Sequence, residues 1–246
     1  MSFESLQDML AWNPPPVPQY VGNYILLKKT KMCVFGGPKM FKSIMAAQMG
    51  FCIAAGAPWM GIPTMQGKVA YMQCEIPKGP FRDRAAKMAK NMPRVPNGTF
   101  TFNTDFSFKL DRTADAQMLE NYLDRQRPDV LILDPWYKML SIEDNQAYSR
   151  TQDIMDYMID KYDITIIMVH HDTVPMNDPQ TGQPINRFHP RGPRTVEGWF
   201  DTIMQIDGNI QNDDRILRFE MRHAITLAQP IKASMDRNKL WLEPRP

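Results

Sequence analysis

The chain has 246 residues, 43% of them hydrophobic, and a formal net charge of +2. That length suits one large domain or two small ones, and that apolar fraction can bury a core, which excludes global disorder. A charge so near neutral argues against a histone-like partner held by bulk electrostatics, while leaving room for a local basic loop.

Cys33, Cys52 and Cys74 are the three cysteines, each in an apolar run and none in C-x-x-C spacing. They predict no disulfide framework or zinc site, and a reducing cytoplasmic compartment, that of a bacterium or of a phage-infected host cell. The first ten residues, MSFESLQDML, have no basic start and no long apolar stretch, and no run of 18 apolar residues follows, so neither a secretory signal nor a membrane span is expected. The 20 methionines read as adaptable core filler.

In chain order, Phe3, Leu6, Met9 and Leu10 have helical spacing and run into the stiff stretch Asn13-Pro14-Pro15-Pro16. Residues 1–16 are expected either to pack on their own domain or to serve as an arm that docks on a neighbouring subunit; residues 17–246 form the core. There the pattern alternates. Strands are predicted at 32–36, 68–75, 99–103, 129–134 and 164–171. Helices are predicted at 43–56, 79–92, 113–126, with Thr113 as the cap, and 149–162. Apolar strands separated by helices imply a parallel sheet covered on both faces. The tail changes character: 201–207, 215–222 and 239–244 read as an antiparallel meander with a turn at Asn212-Asp213-Asp214.

The chemistry centres on GGPKMFKS, residues 36–43. It follows the phosphate-loop template G-x-x-x-x-G-K-[ST] except that Phe41 replaces the second glycine. A strand precedes the loop and a helix follows it, as a phosphate cradle requires. Gly36, Gly37, Pro38, Lys39, Met40, Phe41, Lys42, Ser43 and Ile44 are therefore the nucleotide-binding candidates, with Lys42 reaching the β/γ-phosphates of ATP and the Ser43 hydroxyl ligating Mg²⁺. Asp134, closing the apolar strand DVLILD, is the second Mg²⁺ ligand. Glu75, closing KVAYMQCE, could polarise the attacking water or simply be a capping or surface acid. His170 and His171 end ITIIMVHH; adjacent strand residues face opposite ways, so one of them, His171 by preference, could sense the γ-phosphate.

The proline-rich loop 173–198 carries Arg187, Phe188, Arg191 and Arg194. Arginines beside an aromatic suit a single-stranded nucleic acid with a stacked base, and the alternative is a solvated loop. Arg191 and Arg194 could instead reach a nucleotide. Lys138 and Arg150, in the stretch 137–150, are further DNA-facing candidates. Arg222 in RFEMRHA is a candidate arginine finger for a neighbour's site, or a surface ion pair.

The order of GGPKMFKS, GKVAYMQCE, PFRDRAAKM, PDVLILDPWYKML, ITIIMVHHDT, RGPRTVEGWFDTIMQID and RFEMRHA resembles the RecA-like ATPase core of RepA-type hexameric helicases and their phage and plasmid relatives, over roughly residues 17 to 243. No single motif is very specific; their order and spacing are. The resemblance implies an α/β RecA-like fold with a C-terminal antiparallel meander, binding of ATP and Mg²⁺, and action on DNA as a homo-oligomeric ring or filament. It implies roles for Lys42, Ser43, Glu75, Asp134 and His171, and makes Arg191 a second finger candidate. Glu220 stands where those helicases carry a lysine, which leaves Arg222 as the finger of that segment. GGPKMFKS, with Lys39 and Phe41, is also similar to the loop of some phage strand-exchange recombinases. The leading expectation is a DNA-coupled ATPase of helicase type; a recombinase or mediator, and a non-hydrolysing scaffold of a replication complex, are the alternatives.

Overall fold

A computed structural model describes residues 3–90, 94–172, 190, 193–224 and 228–246, with Arg194 and Thr195 described by their backbone alone. The strands are β1 (Gln19–Val21), β2 (Leu26–Leu27), β3 (Lys31–Phe35), β4 (Val69–Gln73), β5 (Phe100–Asn103), β6 (Val130–Asp134), β7 (Thr165–Val169), β8 (Thr202–Asp207), β9 (Asp214–Met221), β10 (Ile231–Asp236) and β11 (Trp241–Pro244). The helices are α1 (Leu6–Ala11), α2 (Lys42–Ala55), α3 (Lys78–Ala89), α4 (Thr113–Gln126), α5 (Asn145–Tyr162) and α6 (Arg194–Trp199), with a 3₁₀ turn at Trp136–Met139.

The main sheet runs β11-β10-β9-β8-β3-β7-β6-β4-β5. The stretch from β8 to β5 is parallel, and β9, β10 and β11 join antiparallel. This is an α/β fold with a mostly parallel central sheet and a C-terminal antiparallel extension. β4, β6 and β7 are buried at every position, which is why their sequences are continuous apolar runs rather than alternating ones.

Helices cover both faces. α2 lies across β4, β6 and β7 and is buried along nearly its whole length. Gly50 permits this approach: a Cβ there would stand 2.8 Å from Ile132 Cδ1 and 2.9 Å from Phe100 Cε2. On the other face α4 and α5 close a second core around Leu119, Leu123, Met155 and Ile159. Trp136 anchors it. Its ring lies against Tyr148, His170 and Trp199, and its indole N–H donates to Thr151 Oγ1 at 3.2 Å. Losing a side chain of that size from a closed core costs about 3–5 kcal/mol.

Four local expectations change. The first-turn amides of α4 have no cap from Thr113, which is the first helical residue; the capping position is Arg112, with no side-chain bond. α5 begins at Asn145, capped by Asp144 onto the Ala147 N–H at 2.8 Å, so Arg150 stands in a helix rather than in a loop. β10 was not expected, because Ile231-Lys-Ala-Ser-Met-Asp carries only two large apolar residues. α1 buries none of its residues, so the helix does not pack on its own domain. No helix among the described residues is long and apolar enough to cross a membrane.

Candidate functional site

β3, β6 and β7 are neighbours, and in a parallel sheet ligands bind beyond the carboxyl ends of such strands. There lies a cavity of about 370 Å³, lined by loop residues 38–41 and by Lys42, Ser43, Glu75, Arg84, Asp134 and His171. That volume lies in the range of small-molecule sites.

The loop leaves β3 at Gly36. A Cβ there would stand 2.3 Å from the Ile206 carbonyl oxygen of β8, so only glycine lets the chain turn out past its neighbour strand. Phe41 is the residue capping α2, with φ 64° and ψ 23°. This is the left-handed backbone that a glycine adopts freely, and a side chain there costs about 1 kcal/mol. The expected glycine conformation is thus kept without the glycine. Met45 N–H is bonded to the Phe41 carbonyl at 2.8 Å. The amides of Lys42, Ser43 and Ile44, in the first turn, have no acceptor within the helix and form an anion-binding end.

Lys42 is buried, and its ammonium donates to the Gly36 and Gly37 carbonyls at 2.9 and 2.8 Å. Burial lowers its pKa, opposed by the carboxylates of Asp134, Glu75 and Asp172. Two of its three donors are on loop carbonyls, which leaves one for an anion.

Ser43 Oγ donates to Asp134 Oδ1 at 3.1 Å, and the Tyr71 hydroxyl donates to the other carboxylate oxygen. Burial pushes the Asp134 carboxyl up to about 6, although the Tyr71 and Ser43 hydroxyls and the Arg84 guanidinium favour its ionised form. Among the described residues no group of three His, Cys, Asp or Glu side chains is placed to hold a metal. The hydroxyl–carboxylate pair is instead the kind of hard-oxygen set that binds Mg²⁺ together with a substrate's phosphates. The donor set fits that ion.

His170 and His171 diverge as alternation requires. His170 is fully buried, with Nε2 3.2 Å from the Tyr148 hydroxyl. His171 lines the cavity and meets the Tyr137 ring edge-on, centroids 4.9 Å apart. The Lys138 ammonium lies over that same Tyr137 ring at 5.3 Å.

Other candidates stand apart. Arg222 follows β9, whose Met221 pairs with Thr202 at the start of β8; this is the edge of the sheet opposite the loop. There it is held within its own chain by Asp201 at 3.3 Å and by the Gly198 carbonyl, so any contact with a nucleotide would be in a neighbour's site. Arg150, exposed on α5, lines a surface groove together with Asp111 and Glu120. Arg187, Phe188 and Arg191 lie outside the described residues, as does the side chain of Arg194.

Sequence reasoning missed two site residues, Tyr71 and Arg84. Arg84 lies between the buried Phe81 and Met88 on α3. An arginine on the inward stripe of a helix was the signal. Tyr71 sits in an apolar strand, and nothing in the sequence marks its hydroxyl. Gln73, buried at the end of β4, has an amide with no hydrogen-bond partner among the described residues, the kind of group that a bound water satisfies.

The sequence matches a family model described as an AAA domain over residues 2–175, well over half of the chain. The chain belongs to the AAA domain family. Among solved structures, this AAA domain is similar to a KaiC-like protein from the hyperthermophilic archaeon Pyrococcus horikoshii, with TM-score 0.63 and 12% identity over 95% of this chain and 100% of the other. It is also similar to the RadB recombinase, with TM-score 0.62 and 17% identity over 90% of this chain and 93% of the other. At such identities these likenesses establish the fold: RecA-like, as expected from the order of motifs. No curated protein matches the sequence.

Proposed function

We propose that this AAA domain is a Mg²⁺-dependent ATPase acting on DNA, single-stranded in the first instance, in replication or recombination. The observation that carries the nucleotide part is the shared cavity, where the buried Lys42 ammonium, the amide end of α2 and the Ser43–Asp134 oxygen pair converge. Lys42 and the amides of the 36–44 loop would hold the β- and γ-phosphates of ATP. Ser43 and Asp134 would hold Mg²⁺, which when bound neutralises charge on those phosphates. Glu75 would orient a water and take its proton. Arg84 brings a positive charge to the same space.

The coupling to DNA rests on a chain of rings. His171 faces the cavity, Tyr137 packs against it, and Lys138 lies over Tyr137 on an exposed turn. A change at the γ-phosphate would pass through His171 to a cation that can meet a DNA backbone, with Arg150, Arg187, Phe188 and Arg194 as further contacts. Arg222 or Arg191 would complete the site of a neighbouring subunit in a ring or filament. The exposed apolar residues of α1 support residues 1–16 as an arm between subunits.

The likeness to the RadB recombinase favours a recombination role over unwinding alone, without separating a helicase-type motor of the RepA kind from a recombinase. A second reading, a nucleotide-binding scaffold without turnover, is favoured by the bulk of Phe41 where the phosphate-loop template carries a glycine. ATP turnover measured with and without single-stranded DNA tests the proposal. Stimulation by DNA supports it, and turnover indifferent to DNA removes the DNA part of the reading.

A further inference from the structure

Phe41 is the loop's departure from the phosphate-binding template, and nothing in the proposed chemistry uses its side chain. The fold does use it. The Arg215 guanidinium lies over the Phe41 ring, 4.4 Å from its centroid, and the Arg237 guanidinium stands 5.9 Å from the same ring. Arg215 is 2% exposed, an unusual state for an arginine, and its pKa is lowered by that burial.

Its two terminal nitrogens donate to backbone carbonyls, while its Nε–H has no hydrogen-bond partner among the described residues. One terminal nitrogen donates to the carbonyls of Asn209 at 3.1 Å, Asn212 at 3.0 Å and Asp214 at 2.6 Å, all in or beside the β8–β9 turn. The other donates to the carbonyl of Lys39, inside the phosphate loop, at 3.4 Å. Arg237 is fixed in turn by Asp213, through its Nε at 2.8 and 3.0 Å from the two carboxylate oxygens. The loop is therefore gripped from the antiparallel extension at two points, the Lys39 carbonyl and the Phe41 ring. Those two residues are also the non-glycine residues of the loop with positive φ, 63° and 64°.

We infer that Arg215 is a positioning residue for nucleotide binding: by stacking on Phe41 and bonding the Lys39 carbonyl it holds both in the left-handed backbone that aims the Lys42 and Ser43 amides at a phosphate. A glycine at position 41 would adopt that backbone without help. In this chain a cation–aromatic contact, strengthened by its desolvated setting, does the work of the missing glycine. The arrangement also ties loop geometry to the β8–β9 turn. The inference rests on the reading of the loop as a nucleotide site and says how this chain makes a non-glycine loop serve.

A double-mutant cycle tests it, reading the dissociation constant of ATP with Mg²⁺ by calorimetry. Circular dichroism and thermal melting check that each variant is folded. Arg215→Met in the parent background is expected to weaken ATP binding about tenfold, or about 1.4 kcal/mol. In the Phe41→Gly background the same change is expected to weaken it less than twofold, because the glycine needs no clamp. A purely structural Arg215 would lower the melting temperature in both backgrounds and give equal losses of affinity, which would overturn the inference. Should Arg215→Met not fold, Arg215→Lys takes its place. It keeps a cation over the ring but not the planar fork, and is expected to cost about threefold beside Phe41 and nothing measurable beside the glycine. Equal losses would again overturn the inference. A parent that binds no ATP would instead overturn the nucleotide reading itself, and the inference with it; a parent that binds, with no coupling in the cycle, sinks the inference alone.

Discussion

Replacing Asp134 by asparagine should stabilise the nucleotide-free protein while disabling it. Asp134 is fully buried, and burial pushes its carboxyl from 3.8 up to about 6. At about 1.4 kcal/mol per tenfold change in proton affinity, ionising this group in the folded state costs about 3 kcal/mol at neutral pH. The folded-state value lies above the unfolded one. The stability contribution is therefore fully present below about pH 4 and lost as pH rises through about 6. The amide removes the charge but weakens the bonds received from Tyr71 and Ser43, which leaves a net gain of about 1–2 kcal/mol. For a domain of this length that is about 2–8 °C in Tm. The assay is thermal unfolding of parent and Asp134→Asn side by side from pH 4 to 8 without nucleotide. The variant should be slightly less stable than the parent at pH 4, by up to about 1 kcal/mol, and the order should reverse as pH rises, with the full gain reached above pH 6. A variant less stable at pH 7.5, or a gap that ignores pH, would refute the reasoning. The same variant should lose the Mg²⁺-dependent part of ATP binding, since a neutral amide is a poor partner for the ion.

Two further outcomes concern regions away from the cavity. Removing residues 1–13 takes away a helix that buries nothing of its own and exposes Phe3, Leu6, Leu10 and Trp12; Tm should move by no more than about 2 °C, while assembly measured by light scattering should weaken. Unchanged assembly would dismiss the arm. The three cysteines are free and buried, and burial pushes the thiols of Cys52 and Cys74 up to about 12 and that of Cys33 higher still. A thiol reagent should find none of them in the native protein and all three after denaturation, and a fast-reacting thiol in the native state would contradict the core packing.

The parallel core was legible because its strands are buried on both faces and read as unbroken apolar runs, and because the loop, β6 and β7 each end in residues that have no business in a core. β10 was illegible for the opposite reason. It is half-exposed and carries lysine, serine and aspartate, and its place is fixed by pairing with β9 and β11 rather than by its own pattern. α1 was legible as a helix, with Ser5 capping Asp8, but not in its packing, since spacing alone cannot tell whether an apolar stripe meets its own domain. At the cavity, the charged and hydroxyl groups at strand ends could be found from spacing. Tyr71 and Arg215 could not. Their roles depend on strands distant in sequence, β4 against β6 and β9 against the loop, and neither residue type announces a contact made across the sheet.

The proposed function requires a working phosphate site, and the decisive measurement is phosphate release from ATP with Mg²⁺, for the parent beside Lys42→Ala and Glu75→Gln. Turnover is expected in the parent, loss of ATP binding with Lys42→Ala, and ATP bound but not hydrolysed with Glu75→Gln. A parent that binds ATP without releasing phosphate, or turnover that survives both changes, would contradict the proposed function.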